Sequence, residues 1–163
     1  MTVVITLLAL LAAMIMPNLM NERRSREARQ FFSKARNLML ETRSRSIGDQ
    51  QTRSIQLDES AGQLLVERTD VETGETLQER SLDLPEGVTG SNFRMESSDS
   101  NAAEWSVSFY ADGKSNGGGI AFDTNGRIIS LSISKHGTIT RIDGELPDTT
   151  EDVWDAGGYE QRI

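Results

Sequence analysis

The chain is 163 residues long and carries 17 Lys+Arg against 25 Asp+Glu, for a formal net charge of −8. That length suits one domain, and a net-acidic chain repels phosphodiester backbones, so nucleic-acid binding is disfavoured as its main work. It contains no Cys, which excludes disulfides, thiolate nucleophiles and Cys-based zinc sites.

The hydrophobic residues are unevenly spread. Residues 1–16 hold fourteen apolar residues and two threonines and no charge, whereas the remainder is only about 31 % apolar, below the range of ordinary soluble domains. Sixteen helical residues span about 24 Å against a bilayer core of about 30 Å. The segment therefore reads as a slightly short transmembrane helix, a signal-peptide core or a buried helix. A signal peptide lacks its basic start here, and Ala9, Ala12 and Ala13 lie inside the apolar run rather than after it. A buried helix would need a more apolar body to wrap it.

Beyond Pro17 the pattern changes. Ala28, Phe31, Phe32, Ala35, Leu38 and Met39 fall at i, i+3, i+4, i+7, i+10 and i+11, one apolar face of a helix suited to packing on a β-sheet. Gly48 offers a left-handed C-cap. The two halves then form one helix of about 47 residues and about 70 Å, kinked near Pro17. Residues 1–50 carry a net +4 and residues 51–163 a net −12, so a basic helix precedes an acidic body.

That body reads as β. Alternation appears at Ile55 and Leu57, Leu64 and Val66, Leu82 and Leu84, then Trp105, Val107 and Phe109, Ile120 and Phe122, and Ile129, Leu131 and Ile133. Asp112-Gly113, Asn125-Gly126 and His136-Gly137 punctuate the later strands as in an antiparallel meander. The polar stretch from Glu86 to Glu104 reads as a loop. Helix first and sheet after make an α+β fold. Four segments follow: 1–17 as membrane and assembly helix, 18–48 as its amphipathic half, 49–144 as the β-rich domain and 145–163 as an acidic tail.

Catalytic, cofactor and metal signals are sparse. His136 precedes Gly137 and reads as a turn. Asp123-x-Asn125-Gly126 has half the ligands of a calcium loop, and a hairpin turn accounts for it. Gly117-Gly118-Gly119 lacks the strand-to-helix context of a phosphate loop and reads as a flexible connection. No residue is assigned to catalysis, a cofactor or a metal. Trp154, an aromatic in the acidic tail, is the candidate partner anchor.

The run Leu11-Ala12-Ala13-Met14-Ile15-Met16-Pro17-Asn18 resembles the N-terminal helix of type IV pilins and type II secretion pseudopilins. Ala28-Arg29-Gln30-Phe31-Phe32, and the Phe109-to-Ile120 stretch with its Asp-Gly turn and Gly-rich connection, are similar to the GspH/FimT minor pseudopilins. The resemblance implies a non-enzymatic, single-pass inner-membrane protein with a periplasmic β-domain. Such a protein is trimmed by a prepilin peptidase and assembles with other pseudopilins or pilins into a fibre. Leu7, Leu10, Leu11, Ala12, Ala13, Met14 and Pro17 would then face lipid and neighbouring helices, the small alanines permitting close approach. Aligning the family's proline with Pro17 puts Met1 at its sixth mature position, so about five residues and a leader are expected upstream. A FimT-like minor type IV pilin involved in pilus assembly or DNA uptake, and an unrelated membrane-anchored β-domain, are the alternative readings.

Overall fold

The computed structural model describes residues 2–70, 74–95 and 98–147, with the backbone alone given for residues 2–21 and 98. Helix α1 runs from Thr2 to Asp49 and continues through Pro17 without ending there. Nine strands follow: β1 (Arg53–Asp58), β2 (Gln63–Thr69), β3 (Thr76–Asp83), β4 (Val88–Met95), β5 (Ser98–Ser100), β6 (Ser106–Phe109), β7 (Gly118–Thr124), β8 (Arg127–Ile133) and β9 (Ile139–Asp143). They divide into two antiparallel sheets ordered β3-β2-β1-β6 and β5-β4-β7-β8-β9. The expected meander is therefore split, with β6 in the first sheet and β7 to β9 in the second.

The helix lays a narrow stripe on both sheets. Phe31, Phe32, Ala35, Leu38 and Met39 are buried, Ala28 is partly buried, and Thr42 and Ser46 extend the stripe by two further turns. These two hydroxyls are tolerated in the core because each donates to its own helix, Thr42 to Leu38 O at 2.8 Å and Ser46 to Thr42 O at 3.0 Å. Their small size also lets the helix approach the sheets closely. Phe31 and Phe32 meet Phe122 of β7 edge to face at 5.3 and 5.7 Å, the geometry aromatic quadrupoles favour. Ile55, Leu57, Leu64, Val66, Val107 and Phe109 from the first sheet, and Phe93, Ile120, Leu131 and Ile133 from the second, complete one core.

The helix ends two residues later than the glycine suggests. Gln50, not Gly48, takes the left-handed conformation, with φ 56°. Gln51 N–H returns to Ser46 O at 3.2 Å and the Gln50 amide side chain donates to Ile47 O at 2.7 Å. This is a Schellman closure in which a side-chain hydrogen bond offsets the cost of a Cβ at a positive φ.

Two further expectations are corrected. The stretch from Glu86 to Glu104 contains β4 and β5 rather than a loop, and Phe93 on β4 packs against Trp105. Gly118 and Gly119 are the start of β7, not a flexible link. A Cβ on Gly118 would stand 2.7 Å from Arg94 O, and one on Gly119 2.5 Å from Leu146 Cδ2. At the β7–β8 hairpin Asn125 and Gly126 have φ 55° and 83°, a two-residue turn of the I′ kind. Asp123 accepts there from Gly126 N–H at 2.7 Å, so its carboxylate serves the turn.

Phe32 is fully buried and Leu40, about two turns along, is 38 % exposed. Phe32→Ala is expected to destabilise the domain by about 3–5 kcal/mol, and Leu40→Ala by less than about 0.5 kcal/mol. Urea unfolding followed by circular dichroism reads both.

Candidate assembly helix and its attachment to the sheets

The helix that carries the apolar N-terminal segment is fastened to the domain along its other half. Among the described residues, its side-chain links to the sheets begin at Arg24, which pairs with Glu86 at 2.7 Å, and end at Asp49, which pairs with Arg53 at 2.6 Å. Over that span of about 38 Å, four arginines besides Arg24 join the helix to the strands and their turns. Arg43 donates from Nε to Gly113 O at 2.8 Å and from Nη2 to His136 O at 3.2 Å, gathering two turns onto one helix side chain. A Cβ on Gly137 would collide with Gly113 O and with Arg43, so glycine is what lets these turns close together. Arg80 on β3 pairs with Glu41. Arg141 on β9 lies over the Phe32 ring at 5.6 Å, within cation–π range.

The fourth is Arg53, whose side chain is 3 % exposed. It donates to Glu79 Oε2 at 2.8 Å and Oε1 at 3.2 Å, and to Asp49 at 2.6 Å. Glu79 is the extra residue of a bulge, since Val66 pairs with Arg80 and Glu67 with Gln78. The bulge turns its carboxylate toward the helix end. The Glu79 hydrogen bond, and then that of Asp49, hold the Arg53 guanidinium above its ordinary pKa against burial. Hydrogen bonding from Arg80, with a smaller pull from Arg45, holds Glu41 below the ordinary carboxylate value. The Lys114 amide does the same for Asp112 in the turn beside Arg43. A lowered folded pKa means that these two carboxylates stabilise the fold at neutral pH and cease to as pH falls through their lowered values.

The structure gives Leu7, Leu10, Leu11, Ala12, Ala13, Met14 and Pro17 helical backbone, and their side chains lie outside the described residues. Trp154 also lies outside the described residues. Among the residues whose side chains are described, no helix is long and apolar enough to cross a membrane, and no group of three or more His, Asp or Glu is placed to hold a metal ion. His136 stands in the β8–β9 turn, where its carbonyl, not its imidazole, is engaged by Arg43. A cavity of about 610 Å³ lies between the helix and the β7–β8 turn, with Arg24, Arg29, Arg127 and Arg141 in its wall. Three of those charges have carboxylate partners, Arg24 with Glu86 and both Arg127 and Arg141 with Asp143.

The fold superimposes on solved structures over about three quarters of the chain. The minor pseudopilin EpsH from the type 2 secretion system of Vibrio cholerae superimposes with a TM-score of 0.60 at 14 % identity, over 74 % of this chain and 99 % of that one. The type IV minor pilin FimU of Pseudomonas aeruginosa (strain PAO1) superimposes with a TM-score of 0.56 at 19 % identity, over 77 % and 96 %. The chain has a pilin-like fold. No protein-family model and no curated protein sequence matches it. Within this pilin-like fold, periodicity alone does not single out the arginine attachments. The signal that points to them is the arginine count on the helix, six between Arg23 and Arg43, in a chain whose net charge is negative.

Glu79→Gln keeps the bulge's shape but leaves the buried Arg53 with Asp49 as its remaining carboxylate. It is expected to cost about 2 kcal/mol, whereas Asp83→Asn, at an exposed edge contact with Gln63, changes stability by less than about 0.5 kcal/mol. Thermal unfolding at neutral pH compares them.

Proposed function

We propose that this chain is a structural minor pseudopilin of a type II secretion system. In this reading residues 1–17 of the helix anchor the precursor in the inner membrane, with the domain in the periplasm, and afterwards pack against the helices of other pseudopilins in the fibre. Residues 18–48 bind that anchor to the β-rich domain of residues 49–144, and residues 145–163 form an acidic extension. A prepilin peptidase acts on the precursor.

The observation that carries the reading is the division of labour along α1. From Arg24 to Asp49 the helix is tied to its own sheets, while the uncharged run before Pro17 has the composition of a segment meant for lipid or partner helices. An attachment this extensive transmits load from an anchored helix to a folded head, as a fibre subunit requires. The likeness to EpsH supports the secretion reading and the likeness to FimU supports a pilus. The body's net charge of −12 argues against a subunit whose work is to bind DNA.

Deleting the gene in its host separates the two systems. The proposal expects secreted proteins to accumulate in the periplasm while surface pili remain, with recovery on re-expression. Loss of pili with normal secretion would place the subunit in a pilus instead.

A further inference from the structure

The cavity of about 610 Å³ beside the helix lies at the end of the domain nearest the apolar run. Its helix wall runs from Arg24 to Arg29, ahead of the buried stripe that begins at Phe31. Arg127 and Arg141 stand across from it, so four guanidiniums line one space. Two carboxylates answer them. Glu86 takes Arg24 at 2.7 Å, and Asp143 is divided between Arg127 at 3.6 Å and Arg141 at 3.1 Å. Arg29 has no carboxylate partner among the described residues, and its Nε donates to Ser25 O at 3.2 Å. Four guanidiniums against two carboxylates leave a surplus of two positive charges, in a chain whose net charge is −8.

The depth of the cavity along the helix narrows what that surplus can meet. Met20 is the last apolar residue before the charged part of the helix, and Arg24 follows it by four residues, about 6 Å. Arg29 is further along, but its guanidinium leans back one turn to the level of Ser25, as helix side chains do. The headgroup layer beyond the hydrocarbon is about 5–7 Å thick on each side of a bilayer. With residues 1–17 as the membrane anchor proposed above, on which this site rests, the cavity opens at the level of lipid phosphates. Basic residues are depleted on the translocated side of membrane proteins, so a use for their charge accounts for arginines placed there.

We propose that this cavity binds the phosphate of an anionic phospholipid headgroup. Guanidinium forks match phosphate oxygens in both charge and geometry. The buried Val88 and Ile129 give the cavity an apolar floor, suited to the glycerol carbons next to the phosphate. A volume of about 610 Å³ is that of a small-molecule site and takes the phosphate together with the groups it bridges. Arg29 and Arg127 supply the loosely held charges, while Arg24 and Arg141 are shared with the fold. A lipid held there would fix the height of the domain above the bilayer before the subunit leaves the membrane.

Native mass spectrometry of the full chain in neutral detergent micelles tests the site, with dioleoyl phosphatidylglycerol and dioleoyl phosphatidylcholine as probes. The parent chain is expected to retain one phosphatidylglycerol in preference to phosphatidylcholine. Arg29→Gln with Arg127→Gln, both at exposed positions, is expected to weaken that retention about 25-fold, about fivefold for each arginine. Arg23→Gln with Arg26→Gln removes the same charge from the same stretch of helix but outside the cavity, and is expected to leave retention unchanged. Equal losses from the two pairs would mean a general attraction of the basic helix for anions and would overturn the cavity as the site. Equal retention of the two lipids by the parent would overturn it as well. Displacement of the lipid by an equal concentration of glycerol phosphate would assign the site to a soluble phosphate ester and overturn the lipid. Flotation with vesicles of phosphatidylcholine alone reads the anchor separately. A chain that floats with them but retains no phosphatidylglycerol keeps its anchor and loses this site, whereas a chain that does not float loses both.

Discussion

One helical stripe, from Phe31 to Ser46, is what makes a single domain of two sheets. The first sheet presents Ile55, Leu64, Val66 and Phe109 to the interior, the second presents Ile120, Phe122, Leu131 and Ile133, and the helical stripe joins the same buried cluster. The helix supplies the third wall. Its width matters as much as its hydrophobicity: Ala35, Thr42 and Ser46 keep the stripe thin, while Phe31 and Phe32 fill the wedge at its top against Phe122. Because burying each large apolar side chain is worth about 1.5–3 kcal/mol, these few residues carry much of the helix's attachment.

Around that stripe the fastening is polar and rests on arginine. Arg43 holds carbonyls of two turns, Arg53 a bulge carboxylate and a helix-end carboxylate, and Arg80 the helix's Glu41. The planar guanidinium suits this because it donates in several directions at once without deprotonating. The arrangement also explains how a chain of net charge −8 keeps a basic helix: many of its cations are turned to carbonyls and carboxylates of the same molecule. Attachments along some 38 Å make the sheet-bound half of the helix and the head one mechanical unit. The proposed fibre role needs that property, since force on the apolar half must reach the β-domain.

Much of this architecture is legible in the sequence, and the misses have physical causes. The α+β order follows from hydrophobic period, which is 3.6 on the helix and 2 on β1, β2, β7 and β8. β4 escapes because its inward positions are Val88, Gly90 and Phe93, with a bulge between Gly90 and Asn92 that breaks the alternation. Gly90 must be bare since a Cβ there would stand 2.6 Å from the Phe93 ring, so the strand reads as polar loop. The helix end is misplaced at Gly48 because a glycine is the commonest left-handed cap, whereas here Gln50 makes its own hydrogen bond to Ile47. Thr42 and Ser46 look like surface residues until their hydroxyls are seen to be satisfied within the helix. Nothing in local sequence marks Glu79 as inward-facing, because a bulge is a property of two strands together. For the apolar segment before Pro17 the sequence is the stronger witness, through its composition and its lack of charge.

The central claim is that one helix does two jobs, holding its own domain with one half and partner helices with the other. Photo-crosslinking in host cells tests it most directly, with a photoreactive residue replacing Leu10 in one chain and Leu38 in another. Leu38 lies in the stripe buried by the sheets. The account predicts that the Leu10 position yields adducts with other pilin-like subunits and the Leu38 position yields none. Adducts to partners from Leu38, or a Leu10 position that joins nothing but its own β-domain, would contradict it.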